Sequence, residues 1–232
     1  MTNVDRSLIA DFPLFAGLNV TQLDHVLEEA RTVRHPKNTA VFEQGGEPHS
    51  FFVLLHGHLQ VIKTTPDGQQ VVVRYVAPGE VFGIAIAMGL KAYPATAMAV
   101  EDSVVLTWPA RVWPELVSQF PNLATATLQT VGSRLQDAHT RVVEMSTEQV
   151  ERRVAHALLR LAKQAGRRID RGLQIDFPIS RQDVADMTGT TLHTVSRILS
   201  AWEQQGLVEG GRQRIVIRDP HRLFGIAEEA PD

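Results

Sequence analysis

Between Thr39 and Trp108 the apolar residues come in short runs broken by turn residues, a texture that predicts strands. The runs are Ala40 to Phe42, Phe51 to Leu55, Leu59 to Ile62, Val71 to Val76, Thr96 to Val100 and Val104 to Trp108. Gly45-Gly46, Gly57, Pro66-Asp67-Gly68 and Pro78-Gly79 separate them, and strands at this spacing with glycine at the corners predict a small barrel or jelly roll. Upstream, residues 7–33 place Leu8, Phe12, Leu14, Phe15, Leu18, Leu23, Val26 and Leu27 in short helices interrupted at Pro13 and Gly17, which would cover the roll. Downstream the period changes. From about Pro121 to Met145, Leu128, Val131, Leu135, Ala138, Val142 and Met145 alternate by three and four, the a/d seam of a long helix. So narrow a stripe suits a partner helix; packing against the chain's own roll is the alternative.

Ser146 with Gln149 has the spacing of a capping box, so the chain is expected to break at Met145-Ser146 and restart as a helix over Thr147 to Gln164, ending at Gly166. Val150, Val154, Leu158 and Leu161 are its inward face, and Arg167 to Leu173 reads as a polar loop. Ser180 and Asp183 form a second capping box, opening a short helix that Gly189 closes. Thr191 then caps a helix running to about Gln204 and stopped by Gly206. Val195, Ile198, Leu199 and Trp202 stack into one apolar stripe, while His193, Ser196, Arg197 and Ser200 repeat the same spacing on the polar side. Leu207-Val208, a Gly210-Gly211 turn and Ile215-Val216-Ile217 complete a hairpin. In sum, the pattern is that of a winged helix-turn-helix. His193, Ser196, Arg197 and Ser200 are the candidates for reading bases, Arg197 above all, because a guanidinium meets guanine O6 and N7 with two hydrogen bonds. Ser180, Arg181, Thr191, Thr194, Arg212 and Arg214 are the candidates for holding phosphates.

A chain of 232 residues fits two domains of ordinary size. We divide it into residues 1–120, 121–145 and 146–232, respectively the roll with its helices, the long helix and the winged domain. Its net charge of −3 disfavours nucleic acid, but the distribution does not. Residues 146–220 hold 12 Lys/Arg against 9 Asp/Glu, leaving 11 against 17 elsewhere, as expected of a phosphate-contacting module joined to an acidic one. The absence of cysteine excludes disulfides and a cysteine-held iron-sulfur cluster. No apolar run reaches membrane-span length, and MTNVDRSLIADF lacks the layout of a signal peptide, so a cytoplasmic location is expected.

The run TLHTVSRILSAWEQQGLV with IVIRD after it resembles the carboxy-terminal domain of the Crp/Fnr superfamily of bacterial transcription regulators, whose recognition helix carries a similar E-T-V-x-R-x-L pattern. PGEVFG at 78–83 and TPDGQQ before it are similar to that family's sensor domain, so the resemblance spans residues 12–224. It implies an α+β protein: a double-stranded β-roll like that of cyclic-nucleotide-binding domains, a dimerisation helix at 121–145 and a winged helix-turn-helix. The implied partners are double-stranded DNA, a second copy of the chain, and RNA polymerase if the protein activates transcription. No enzymatic activity and no membrane partner are implied.

The chain departs from the nucleotide-binding branch. Gly83 is followed by Ile84 where that branch has a ribose-binding glutamate, and Ala95-Thr96 stand in place of its phosphate-binding arginine and serine, so cyclic AMP would leave an uncompensated anion. Without cysteines and without that pair the chain resembles the nitrogen-oxide-responsive branch, which implies nitric oxide sensed through haem. Phe82, Gly83, Ile84, Tyr93 and Thr96 are the candidate effector pocket; with Ile86, Met88 and Leu90 they make an apolar wall that suits haem, a small apolar effector or simply core. His25, His35, His49, His56 and His58 are candidate haem ligands, none singled out by spacing. His56-Gly57-His58 opens like a cupin metal motif, but no glutamate follows within five residues and Lys63 would repel a cation, so no metal site is assigned. A cupin-like metalloenzyme and a cyclic-nucleotide-binding interaction module are the rival readings, and neither explains the polar face at 193–200.

Overall fold

The computed structural model describes residues 5–228. The chain divides into two compact units, one built from residues up to Gln70 with Arg74–Leu135, the other from Val71–Val73 with the residues from Gln136 onward.

In the amino-terminal unit, single 3-10 turns at Arg6–Leu8 and Pro13–Phe15 lead into α1 (Val20–Glu28), opened by a capping box between Asn19 and Gln22. Eight strands follow: β1 (Arg31–His35), β2 (Ala40–Phe42), β3 (Ser50–His56), β4 (Leu59–Thr64), β5 (Gln70–Val76), β6 (Val81–Phe82), β7 (Thr96–Ala99) and β8 (Ser103–Pro109). They form two four-stranded antiparallel sheets in the orders β1-β8-β3-β6 and β2-β7-β4-β5, the expected double-stranded roll. Period-two alternation gives the first sheet two apolar faces. Phe52, Leu54 and Val105 turn inward to meet Leu59, Val76 and Ala97. Phe51, Val53, Leu106 and Trp108 turn outward, where Leu23 and Val26 of α1 cover them with Ile9, Leu14 and Phe15. The Trp108 indole, fully buried, donates to the Val26 carbonyl at 2.7 Å. Next come α2 (Trp113–Gln119) and α3 (Pro121–Thr147). Leu123 buries against the outer cluster, and Val131 half-buries there. Leu128, Leu135, Ala138, Val142 and Met145 stay exposed, as does Val143.

The second unit continues with α4 (Val150–Ala165), β9 (Gly166–Ile169), β10 (Gly172–Ile175), α5 (Arg181–Thr188), α6 (Leu192–Gln204), β11 (Val208–Gly211), β12 (Arg214–Ile217) and α7 (Pro220–Glu228). The strands make one sheet in the order β11-β12-β10-β9. Val154, Leu158 and Leu161 of α4, Val184 of α5 and the whole stripe Val195, Ile198, Leu199 and Trp202 of α6 are buried. The Trp202 indole donates to Glu151 at 2.9 Å, which fixes α6 to the start of α4.

Four details differ from the sequence expectation. Residues 31–35 are not helical but pair with β8 as an edge strand. The stretch 167–173 is not a loop; it carries the β9–β10 hairpin, whose second strand pairs with β12. No capping box forms at Ser146, because its hydroxyl donates back to the Val142 carbonyl at 2.8 Å and α3 runs on to Thr147. The wing turns at Arg212-Gln213, with Gln213 at φ 54°, while Gly210 and Gly211 lie within β11. Among the described residues no helix is long and apolar enough to cross a membrane.

Candidate nucleic-acid interface and the roll interior

The candidate reading surface is assembled by caps. At the start of α5 the Ser180 hydroxyl accepts from the Asp183 amide at 3.1 Å, and the Asp183 carboxylate accepts from the Ser180 amide at 2.7 Å. Gly189, at φ 61°, ends that helix in the left-handed conformation that a side chain disfavours. Thr191 opens α6 by accepting from the Thr194 amide at 3.2 Å, the two hydroxyls lying 3.0 Å apart. A hydroxyl that caps by accepting keeps its own proton, so Ser180 retains a free donor and the Thr191–Thr194 pair retains one between them.

With the apolar stripe of α6 buried, the opposite side carries His193 and Arg197 exposed and Ser196 and Ser200 half-buried. Among the described residues the Arg197 guanidinium makes no hydrogen bond and no ion pair, so its donors are available. Leu192, at the first turn of α6, is 46% exposed and was not singled out by the spacing; its position beside His193 is the signal that marks it. The cations expected at phosphates fall into two groups. Arg212 stands exposed at the wing tip. Arg181 and Arg214 are already engaged, Arg181 with Glu203 at 2.9 Å and Arg214 with Glu209 at 3.3 Å. Glu209 also holds Arg218 at 2.8 Å, a further wing cation that the hairpin pattern does not single out.

Inside the roll, the candidate pocket residues part company. Phe82 and Tyr93 join Phe42 and Phe52 in a stack, with Phe42 and Tyr93 centroids 4.0 Å apart and Phe52 and Phe82 at 5.2 Å. The Tyr93 hydroxyl donates to the Ser50 carbonyl at 2.6 Å, and burial raises its pKa. Gly83, at φ 64°, backs onto this stack, where a Cβ would lie 2.6 Å from the Phe52 ring. Thr96 accepts from the Gln44 amide at 3.0 Å. Ile84 packs in the outer cluster with Leu14 and Phe15. Ile86, Met88 and Leu90 are partly exposed. Beside β6, Glu80 accepts from Arg74 at 2.8 Å and lies 3.8 Å from Arg134 of α3, which also donates to the Val81 carbonyl. Burial, reinforced by the Arg74 charge and opposed by Glu80, lowers the Arg134 pKa to about 10.

These surroundings do not fit a haem. The interior cluster is packed by rings and aliphatic groups, Phe42, Phe52, Phe82 and Tyr93 among them. His49 and His56 are exposed, His25 lies edge-on to Phe120 and beside Glu28, and His58 is bonded through Nδ1 to Glu101 at 2.7 Å. His35 is half-buried on the edge strand, where burial lowers its pKa. Among the described residues no group of three His, Cys, Asp or Glu could hold a metal ion, so His56 and His58 find no third ligand.

Residues 32–120 match the cyclic nucleotide-binding domain, and residues 152–225 match the Crp-like helix-turn-helix domain. The chain is 29% identical over 215 residues to the cyclic AMP receptor protein of Thermus thermophilus, covering 93% of this chain and 96% of that one. It is 26% identical over 210 residues to the transcriptional activator protein FnrA of Stutzerimonas stutzeri, covering 90% and 85%. In fold it is similar to FixK2 from Bradyrhizobium japonicum, with a TM-score of 0.76 at 23% identity over 87% of this chain and 99% of that one. The catabolite activator protein of Thermus thermophilus superposes with a TM-score of 0.53 at 29% identity over 93% and 98%.

Proposed function

Since the chain belongs to the Crp/Fnr family of DNA-binding transcription regulators, we propose that it acts as a homodimer on a palindromic site, with α6 of each protomer in the major groove. The observation that carries this reading is the contrast between the two sides of α6: four apolar side chains buried on one, an unpaired Arg197 and an exposed His193 on the other. Arg197 reads guanine, His193 and Ser196 set the neighbouring positions with Ser200 behind them, and Arg181, Arg212 and Arg214 hold phosphates along with Ser180, Thr191 and Thr194. The apolar stripe of α3 pairs the protomers. As an activator the protein would contact RNA polymerase.

Control enters through the roll, by an effector other than cyclic AMP. Ile84 offers ribose no acceptor, and Ala95 and Thr96 offer a cyclic phosphate no cation. The Arg74–Glu80–Arg134 cluster ties α3 to β6. The four-ring stack packed inside the roll argues against haem-borne nitric oxide as the signal.

Selection of binding sites from random DNA tests the base-reading assignment. His193→Glu should shift the preferred half-site, because a carboxylate only accepts hydrogen bonds whereas a neutral imidazole both donates and accepts. Arg197→Ala should cost about 1–3 kcal/mol at one base and relax specificity there. Identical consensus sites for the native protein and His193→Glu would remove His193 from the reading face.

A further inference from the structure

Three elements converge on a single ion pair at the edge of the proposed DNA surface. Arg181 opens α5, Glu203 lies in the last turn of α6, and Gly210 sits in wing strand β11. Arg181 Nη2 is 2.9 Å from Glu203 Oε1, with both side chains about one-third exposed. A Cβ added to Gly210 would fall 2.2 Å from that same carboxylate oxygen and 3.4 Å from that same guanidinium nitrogen. The pair therefore lies directly on the bare backbone of the wing. Gly210 is not among the residues with positive φ, so its backbone conformation does not demand glycine; the space does.

A carboxylate at this place opposes DNA by charge alone. Its geometry does the opposite. An arginine side chain has several rotatable bonds whose freedom is lost when it grips a phosphate, and a partner that already holds one edge of the guanidinium removes part of that loss. The contact uses one of five donors and leaves the rest for a phosphate oxygen. We propose that Glu203 is the positioning residue for Arg181, and that Gly210 keeps its seat open against the wing, so that one phosphate contact is set jointly by α5, α6 and β11. The proposal rests on the reading that Arg181 holds a phosphate.

The two effects of Glu203 have opposite signs, which makes the test decisive. The full-length protein is titrated onto a fluorescent duplex carrying its selected site, over a range of salt concentrations. The proteins compared are the native chain, Arg181→Ala, Glu203→Gln, Gly210→Ala and the double variant Arg181→Ala/Glu203→Gln. Glu203→Gln is nearly isosteric. Gly210→Ala changes no charge, and the three atoms nearest its methyl all belong to the movable ends of the Glu203 and Arg181 side chains, so the carboxylate is what it displaces first. Each should weaken binding by roughly three- to tenfold, the scale of coupling between residues in contact, and each should flatten the salt dependence towards that of Arg181→Ala. In the Arg181→Ala background, Glu203→Gln should no longer weaken binding and should restore some of it by removing a negative charge. Tighter binding by Glu203→Gln in the native background would overturn the proposal. So would a silent Gly210→Ala beside a costly Arg181→Ala. If Arg181→Ala itself binds as the native protein does, the phosphate reading of Arg181 fails first, and the positioning role with it. A loss of affinity with an unchanged salt slope would assign Glu203 to the stability of the wing and also refute the role.

Discussion

Leu135→Glu is the sharpest probe of the proposed pairing of two copies through α3. Leu128, Leu135 and Val142 lie seven residues apart on α3 and keep 72%, 56% and 61% of their surface in water. All three belong to the a/d seam, in which Ala138 and Met145 are exposed as well, while Val131 half-buries against the roll. Full burial of a leucine side chain is worth about 1.5–3 kcal/mol, so covering the exposed half of Leu135 in the proposed dimer would contribute about 1–1.5 kcal/mol per protomer and roughly twice that per dimer. Glutamate removes this contribution and sets two carboxylates near each other across a two-fold axis, with a desolvation penalty of several kcal/mol and no countercharge. The expected total is about 5 kcal/mol, between three and four decades in the dimer dissociation constant. Sedimentation velocity at low micromolar protein should show a dimer for the native chain and a monomer for the variant. Leu135→Ala, which lacks the charge, should lie between them. On DNA the monomer should footprint single half-sites. A Leu135→Glu protein that still sediments as a dimer would place the interface on another surface.

Arg212→Ala at the wing tip should weaken all DNA sequences alike and lower the salt slope by about one per protomer, measured by anisotropy at several salt concentrations; a change in the preferred sequence would contradict its assignment to phosphate. Calorimetry with cyclic AMP should detect no binding at cellular concentrations, and micromolar or tighter binding would mean that Ile84, Ala95 and Thr96 have been misjudged. Trp108→Phe removes the 2.7 Å bond to the Val26 carbonyl and leaves a void in a fully buried site, so urea unfolding should show a loss of about 2–4 kcal/mol. A loss below about 0.5 kcal/mol would show that the outer cluster relaxes around the change.

What could be read from the chain was whatever its signals encode locally. The caps at Ser180 and Thr191, the glycine at 189 and the stripe from Val195 to Trp202 each lie within a few residues of what they specify, and all appear as expected. Strand β1 could not be read this way. Arg31, Thr32, Val33 and Arg34 are all exposed, and what makes them a strand is the antiparallel register with β8, some seventy residues away. The β9–β10 hairpin is hidden for the same reason, because β10 is set by its pairing with β12. At Ser146 two local signals compete. The hydroxyl that could cap a new helix bonds instead to a carbonyl four residues back, and α3 continues.

The candidate pocket fails as a unit for a reason located at Gly83. Treating Phe82 and Ile84 as one wall assumes that the strand continues, since alternate residues of a strand share a face. But β6 ends at Phe82, and Gly83 takes a left-handed φ of 64°. That single dihedral ends the alternation: Phe82 stays with Phe42, Phe52 and Tyr93 inside the roll, while Ile84 turns outward to Leu14, Phe15 and Leu123. A side chain at position 83 would both oppose the left-handed φ and meet the Phe52 ring. The glycine that marks the PGEVFG motif thus lets the backbone lie against the Phe52 and Phe42 rings, and the Tyr93 hydroxyl anchors its ring to the backbone of Ser50. An effector able to enter between these rings would have to separate Phe42 from Tyr93 and break that bond, so the roll interior behaves as core until something does.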